Sequence, residues 1–207
     1  ELRTVIANQV RNRGYYFFRP DYIKYLADST ITPRHIALRL VYADDIPADA
    51  LKRYVTGRVL VNVHRNEGGG TPDTIMTRRA TIVQMQPSKF RHQIIPECVT
   101  FREGRTFSVR DMNRTQTYLS RLGIFKDISI NVSPDSLNSG NRLDVVIDCT
   151  QDSPLEASIE VNATSKSNSY LGPGLSIGVT NKNLFGGGEQ FNISLIGAYE
   201  WQTGRNR

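Results

Sequence analysis

Residues 115–132 read TQTYLSRLGIFKDISINV and change from a helical to a strand pattern at one glycine. Leu119 and Leu122 lie on one apolar helix face, and Gly123 follows where a helix C-terminus favours glycine. Beyond this glycine, apolar residues alternate with polar ones at Ile128, Ile130 and Val132. The stretch therefore predicts a helix that ends at Gly123 and leads into a half-buried strand.

The elements around this junction predict the order strand, helix, helix, strand, strand over residues 54–150. Ser108 and Asp111 resemble a capping box at the start of the second helix. The segment 66–74 reads NEGGGTPDT and predicts a loop, which makes an insertion near 65–80. The last strand continues its apolar alternation to Cys149, which favours a buried thiol over a disulfide with Cys98.

An incomplete copy of the same arrangement comes first. Residues 2–13 have helical apolar spacing and are followed by Gly14, and an alternating strand pattern covers residues 36–42. This earlier segment repeats the last three elements of the later one. We therefore predict three parts, which are residues 1–46, residues 47–152 and residues 153–207.

The pattern changes after Pro154, where three amphipathic strands follow one another with no helix between them. The first of them alternates apolar Leu155, Ala157, Ile159 and Val161 with polar residues. Three glycines, Gly186, Gly187 and Gly188, separate the last two strands in the segment NLFGGGE. Such a meander leaves one apolar face uncovered, and a lipid-facing barrel surface would bury it. A soluble sheet packed on the preceding domain is the alternative.

Composition excludes several classes of function. The chain has 207 residues and a net charge of +6, and nine Lys or Arg fall between residues 78 and 121. This excess leaves open an anionic lipid surface, an acidic partner or a solvated face, but no nucleic-acid-binding motif accompanies it. The cysteines lack metal-ligand spacing, so we expect no metal and no cofactor. GLSIG at 174–178 matches a hydrolase nucleophile motif, but strand alternation continues through Ser176, so we expect no enzyme.

The sequence resembles a known family in two places. TQTYLSRLGIFKDISINV, within its order of elements, resembles a POTRA (polypeptide-transport-associated) domain. LGPGLSIGVTNKNLFGGGEQFNISLIGAYE resembles the first barrel strands of outer-membrane assembly factors of the BamA/TamA superfamily. GYYFFRPDYIKYLADS favours the TamA-like branch. The resemblance implies an α+β fold, with a POTRA-type β-α-α-β-β domain preceded by part of another POTRA domain and followed by antiparallel strands that begin a transmembrane β-barrel.

The same resemblance implies a non-enzymatic factor of the bacterial outer membrane, with its POTRA portion in the periplasm. Its expected partners are unfolded or nascent outer-membrane proteins, other subunits of an assembly complex and outer-membrane lipid, and not nucleic acid. Client chains would pair with an edge strand made of Ile124, Phe125, Lys126, Asp127, Ile128, Ser129, Ile130, Asn131 and Val132. The first barrel strand would be a lateral gate, with Leu155, Ala157, Ile159 and Val161 toward lipid. A two-partner secretion transporter and a soluble adhesin or binding module are the alternatives.

Overall fold

The computed structural model describes residues 1–28, 36–65, 70–86, 91, 93–135, 140–165 and 170–202. The helices are α1 (Leu2–Arg11), α2 (Ile94–Cys98) and α3 (Val109–Arg121). The strands are β1 (Ile23–Asp28), β2 (Ala37–Tyr42), β3 (Val55–His64), β4 (Thr71–Met76), β5 (Thr81–Gln86), β6 (Phe125–Pro134), β7 (Arg142–Gln151), β8 (Leu155–Ser165), β9 (Tyr170–Asn181), β10 (Phe191–Ala198) and β11 (Trp201–Gln202). None of the helices in these described ranges is long and apolar enough to cross a membrane.

The N-terminal segment forms the predicted helix and antiparallel strand pair. Strands β1 and β2 pair with each other, and α1 contributes Ala7 to a small core with Phe18 and Ile23. Tyr16 and Phe17 instead pack into the core of the following sheet. Tyr16 meets Phe107 edge-to-face, with ring centroids 5.0 Å apart. The aromatic segment after α1 therefore joins the first unit to the second.

The central unit is a five-stranded sheet with the order β4-β5-β3-β7-β6. Strand β3 runs parallel to both β5 and β7, whereas β6 runs antiparallel to β7. Its core contains Leu119 of α3 and Ile95 of α2, both fully buried. The remaining largest buried side chains are Phe101, Phe107, Ile82, Leu143 and Ile147. Cys149 is buried as predicted, and both cysteines are free thiols.

The insertion near residues 65–80 is not the loop that the sequence predicted. Residues 71–76 form β4, which makes a hairpin with β5, while residues 66–69 lie outside the described residues. Thr77 closes the turn, donating its hydroxyl to the Ala80 carbonyl at 2.7 Å. Ile82 is buried in the core and fixes β5 in the sheet. Strand β4 is polar and forms because it pairs with β5, which its own sequence does not indicate.

The start of α3 also differs from the predicted capping box. Ser108 is the N-cap residue, but its side chain makes no capping hydrogen bond. The Arg110 backbone N–H instead donates to Asn12 Oδ1 at 2.8 Å. Asn12 follows α1, so a side chain of the first unit caps the principal helix of the second. Asn12 is 98 positions from Arg110, which is why local sequence did not show this contact.

A third sheet follows the central one without an intervening helix. Strand β9 lies between β8 and β10, with antiparallel pairing on both sides. The short strand β11 continues the β10 side of β9, pairing Trp201 with Leu171. Ser176 lies within β9, so GLSIG is part of a strand and does not form a strand-to-helix elbow.

Candidate functional site: a free sheet edge and the junction of two sheets

Strand β6 forms one edge of the central sheet. It is ten residues long, and within the described part of the chain its one partner strand is β7. Ile128, Ile130 and Val132 pack against the core, while the alternating Ser129 and Asn131 are exposed. In an antiparallel edge strand, every second residue directs its N–H and C=O away from the neighbouring strand. The structure thus presents a row of main-chain groups on a strand whose own side chains fix its position.

The beginning of this edge is irregular. The β6–β7 register shifts between Phe125 and Asp127, which leaves Lys126 as a bulged residue. Bulges and lysine side chains both oppose unwanted edge-to-edge pairing. Ile124 precedes the strand and is buried, and its carbonyl accepts the Asp152 N–H at 2.8 Å. Of the predicted client-pairing segment, Ile124 therefore lies outside β6, with its carbonyl already bonded within the chain.

The opposite edge of the sheet is a poorer surface for strand addition. Strand β4 has six residues and contains Pro72, which has no backbone N–H. The β4–β5 hairpin also covers the edge of β3, because β5 pairs with residues Leu60–Val63. The inserted hairpin therefore leaves β6 as the longer open edge of the sheet.

The third sheet has one continuous apolar face. Cross-strand rows join Ile159, Ile177 and Leu195 through the β8–β9 and β9–β10 registers. The neighbouring rows contain Ala157, Val179 and Ile193, and then Val161 and Leu175. Val161 is 78% exposed and Leu195 is 73% exposed. The four residues predicted to face lipid in β8, which are Leu155, Ala157, Ile159 and Val161, are all exposed.

The opposite face of this sheet is polar and closely packed. Ser158 and Asn162 of β8 lie across Gly178 and Gly174 of β9. A Cβ at Gly178 would lie 2.7 Å from Ser158 Oγ, so these side chains occupy the space that glycine leaves. Ile196 is an apolar exception on this face. Apolar and polar faces on alternating residues are typical of barrel strands.

The glycine turn between β9 and β10 rests on the α3–β6 junction of the central unit. Gly188 has φ +80°, and a Cβ there would lie 3.3 Å from the Leu122 carbonyl oxygen. The Gly186 carbonyl accepts the Arg91 N–H at 2.7 Å. The turn predicted from Gly186, Gly187 and Gly188 therefore joins adjacent strands and also contacts the junction after α3. These two segments are the ones that carried the family resemblance.

A basic side chain ties the two sheets together at the same place. Lys182 Nζ lies 3.1 Å from Asp152 Oδ2 and 3.0 Å from Glu156 Oε2. The hydrogen bond to Glu156 is the largest cause that raises the pKa of Lys182, and the hydrogen bond to Asp152 is the next. The Lys182 hydrogen bond and the Ser153 N–H lower the pKa of Asp152. No local sequence pattern indicates this cluster, because its members are separated by up to 30 positions.

Other chemistry is limited in the described part of the chain. It contains no group of three or more His, Cys, Asp or Glu residues placed to hold a metal ion. Burial raises the pKa of the Cys149 thiol to about 12, which makes it a poor nucleophile.

These features define a class of fold: a POTRA-type α+β sheet joined through a short linker to amphipathic antiparallel strands of the kind that begin a membrane barrel. No protein-family model matches the sequence, and no curated protein matches it. Solved structures do match. BamA from Haemophilus ducreyi lacking POTRA domains 1–3 has a TM-score of 0.52 at 12% identity, over 95% of this chain and 30% of that one.

Two further structures are similar. CdiB from Acinetobacter baumannii has a TM-score of 0.48 at 10% identity, over 95% of this chain and 29% of that one. The N-terminal domain of Omp85 from Thermosynechococcus elongatus has a TM-score of 0.38 at 14% identity, over 72% of this chain and 50% of that one. The chain thus spans about 30% of the BamA and CdiB structures. The likeness to BamA confirms the predicted fold of POTRA domain and first barrel strands.

Proposed function

We propose that this chain is the periplasmic POTRA portion, with the first barrel strands, of a non-enzymatic factor that assembles, inserts or translocates outer-membrane proteins. Its clients would be unfolded or nascent outer-membrane proteins, and its other partners subunits of the same assembly and outer-membrane lipid. The fold shared with BamA supports this proposal. The single observation that carries it is the open edge of β6, next to strands with a continuous apolar face.

The proposed mechanism at β6 is addition of a client strand. An extended client chain would donate and accept main-chain hydrogen bonds along residues 125–134. Such pairing depends little on the client sequence, because the side chains of Ser129 and Asn131 are small and polar. Phe125, Ile128, Ile130 and Val132 pack against the core and hold the strand in place. The bulge at Lys126 limits pairing at one end of the strand.

Strand β8 offers a second pairing edge, which we propose as the lateral gate. Among the described strands it pairs with β9 alone, so its other side offers main-chain groups along residues 155–165. Leu155, Ala157, Ile159 and Val161 would face lipid, which would exclude water from the paired client strand. A client strand with the same alternation would continue the apolar face without a break.

Residue-resolved hydrogen exchange on the full chain tests the β6 mechanism. The probe is a synthetic peptide with the sequence of β10, FNISLIGA, because it has barrel-strand alternation. We expect the peptide to slow amide exchange in β6 and to leave β4 unchanged. Protection of β4, or a β6 strand that exchanges at the same rate with and without peptide, would contradict the mechanism.

A matched pair of variants separates main-chain pairing from side-chain contact. Val132→Pro and Val132→Ala both remove the valine side chain, but only proline removes the Val132 N–H, which the β6–β7 register directs away from β7. We expect proline to weaken peptide binding about tenfold and alanine to change it less than about twofold. Thermal unfolding shows whether the proline variant still folds. Equal binding by two folded variants would rule out main-chain pairing at this position.

A further inference from the structure

A groove runs between α1 and α3 on the helical side of the molecule. Its volume is about 510 Å³. Helix α1 and its cap contribute Asn8 and Asn12, while α3 contributes Arg110, Arg114 and Arg121 among others. The hydrogen bond from the Arg110 N–H to Asn12 Oδ1 joins the two helices at one end. The concave surface therefore exists because the first unit docks against the second.

The charge of the groove has one sign. Arg110, Arg114 and Arg121 follow one another at spacings of four and seven residues, which places them within an arc of about 40°. They lie opposite the buried Thr115 and Leu119, so this stripe faces away from the core. No carboxylate lines the groove. Within the described residues, none of the three guanidinium groups forms an ion pair.

The rest of the lining suits an extended peptide. Asn8 and Asn113 each offer an amide donor and an amide acceptor, and both side chains are exposed. A helical partner has satisfied its main-chain groups internally, whereas an extended segment presents free N–H and C=O groups that these amides can bind. Tyr118, which is 40% exposed, adds an aromatic surface at the side of the groove.

The length of the arginine stripe agrees with a short extended segment that carries several acidic residues. Arg110 and Arg114 are separated by about 6 Å along the helix axis, close to the spacing of about 6.6 Å between alternate residues of a strand. The stripe from Arg110 to Arg121 is about 16 Å long, which corresponds to about five extended residues. Carboxylates two residues apart in a short segment would therefore reach Arg110 and Arg114, and a third carboxylate about three residues further along would reach Arg121.

We propose that this groove binds an acidic extended segment of a partner protein. The segment pairs its Asp or Glu side chains with Arg110, Arg114 and Arg121, and its main chain with Asn8 and Asn113. This surface is separate from the β6 edge, so the inference does not depend on strand addition there. A lipid surface has no regularly spaced main-chain N–H and C=O groups for the amides of Asn8 and Asn113, which is why a peptide is the better occupant.

Fluorescence anisotropy with the full chain tests the inference. The probe is a short fluorescein-labelled peptide in which glutamate and valine alternate, and the control peptide carries lysine in place of glutamate. We expect the acidic peptide alone to bind, more weakly at raised ionic strength. The double variant Arg114→Glu and Arg121→Glu should weaken binding at least about tenfold, because two attractive contacts become repulsive.

A charge-matched control uses two exposed arginines away from the groove, Arg39→Glu and Arg78→Glu. We expect this pair to change peptide binding less than about threefold, through net charge alone. An equal loss of peptide binding in both double variants would overturn the proposal that the groove is the binding site. So would a failure of the unaltered chain to bind the acidic peptide. Cosedimentation with phosphatidylglycerol vesicles that depends on Arg114 and Arg121, without peptide binding, would instead identify a lipid site and overturn the peptide proposal.

Discussion

At the scale of single residues, Asn12 carries a contact between units that local sequence did not reveal. Its Oδ1 accepts the Arg110 N–H at 2.8 Å, while the N-cap side chain of Ser108 makes no capping bond. Asn12→Ala should therefore lower the free energy of unfolding by about 1 kcal/mol, the usual effect of losing an N-terminal cap. Ser108→Ala should lower the free energy of unfolding by a smaller amount. Urea unfolding of both variants checks this. A larger effect for Ser108→Ala than for Asn12→Ala would support the capping box and contradict the role of Asn12.

A second prediction for a single residue concerns how the stabilising effect of the Lys182 ion pair depends on pH. The folded-state pKa of Asp152 is below its ordinary 3.8, so the contribution of the ion pair to stability is present above about pH 4. That contribution is lost as the pH falls through the folded-state pKa. At the alkaline side, the raised pKa of Lys182 preserves the contribution up to about its ordinary 10.5. Lys182→Met should therefore lower stability by less than about 1 kcal/mol between these limits.

Unfolding curves measured at several pH values check the Lys182 prediction. The difference between Lys182→Met and the unaltered chain should shrink below pH 4 and stay level near neutrality. Lys52→Met is the matched control, because its partner Asp49 is close in sequence and the pair is exposed. A difference that is constant down to strongly acidic pH would show that Lys182 acts through packing and not through its charge.

At the scale of elements, sequence patterns predicted α3 and β6 but not the hairpin. The residues that periodicity indicated as apolar do lie in or against the core, namely Leu119, Leu122, Ile128 and Ile130. Strand β4 lacks such a pattern, because it is polar, exposed and interrupted by Pro72. Its strand conformation comes from pairing with β5, a tertiary contact that periodicity within β4 cannot report.

The hairpin prediction concerns the burial of its inner strand. Ile82 in β5 is fully buried, whereas Met76 at the end of β4 is 84% exposed. Ile82→Ala should lower the free energy of unfolding by about 2–5 kcal/mol, and Met76→Ala by less than about 0.5 kcal/mol. Chemical denaturation distinguishes the two. A small effect at Ile82 would mean that the insertion is a separable surface hairpin and does not shape the open edge.

At the scale of the whole molecule, the sequence predicted the apolar face of the last strands but not their contact with the central unit. Alternation in β8, β9 and β10 was visible residue by residue. The docking of Gly188 against Leu122 depends on the positions of two distant turns. A pattern of local periodicity does not specify such a contact, so the site at the junction became apparent only in three dimensions.

The last prediction concerns association through that apolar face. A chain ending at Gln151 lacks the third sheet and should be a monomer, whereas the full chain should associate or require detergent, because the face formed by Ile159, Ile177 and Leu195 is exposed. Size-exclusion chromatography with light scattering measures both. Replacing these three residues with serine should reduce association, while Ser158→Ala and Ser194→Ala on the opposite face should not. If both chain lengths are monomers and the longer one melts at a higher temperature, the strands belong to a soluble domain and the barrel interpretation is wrong.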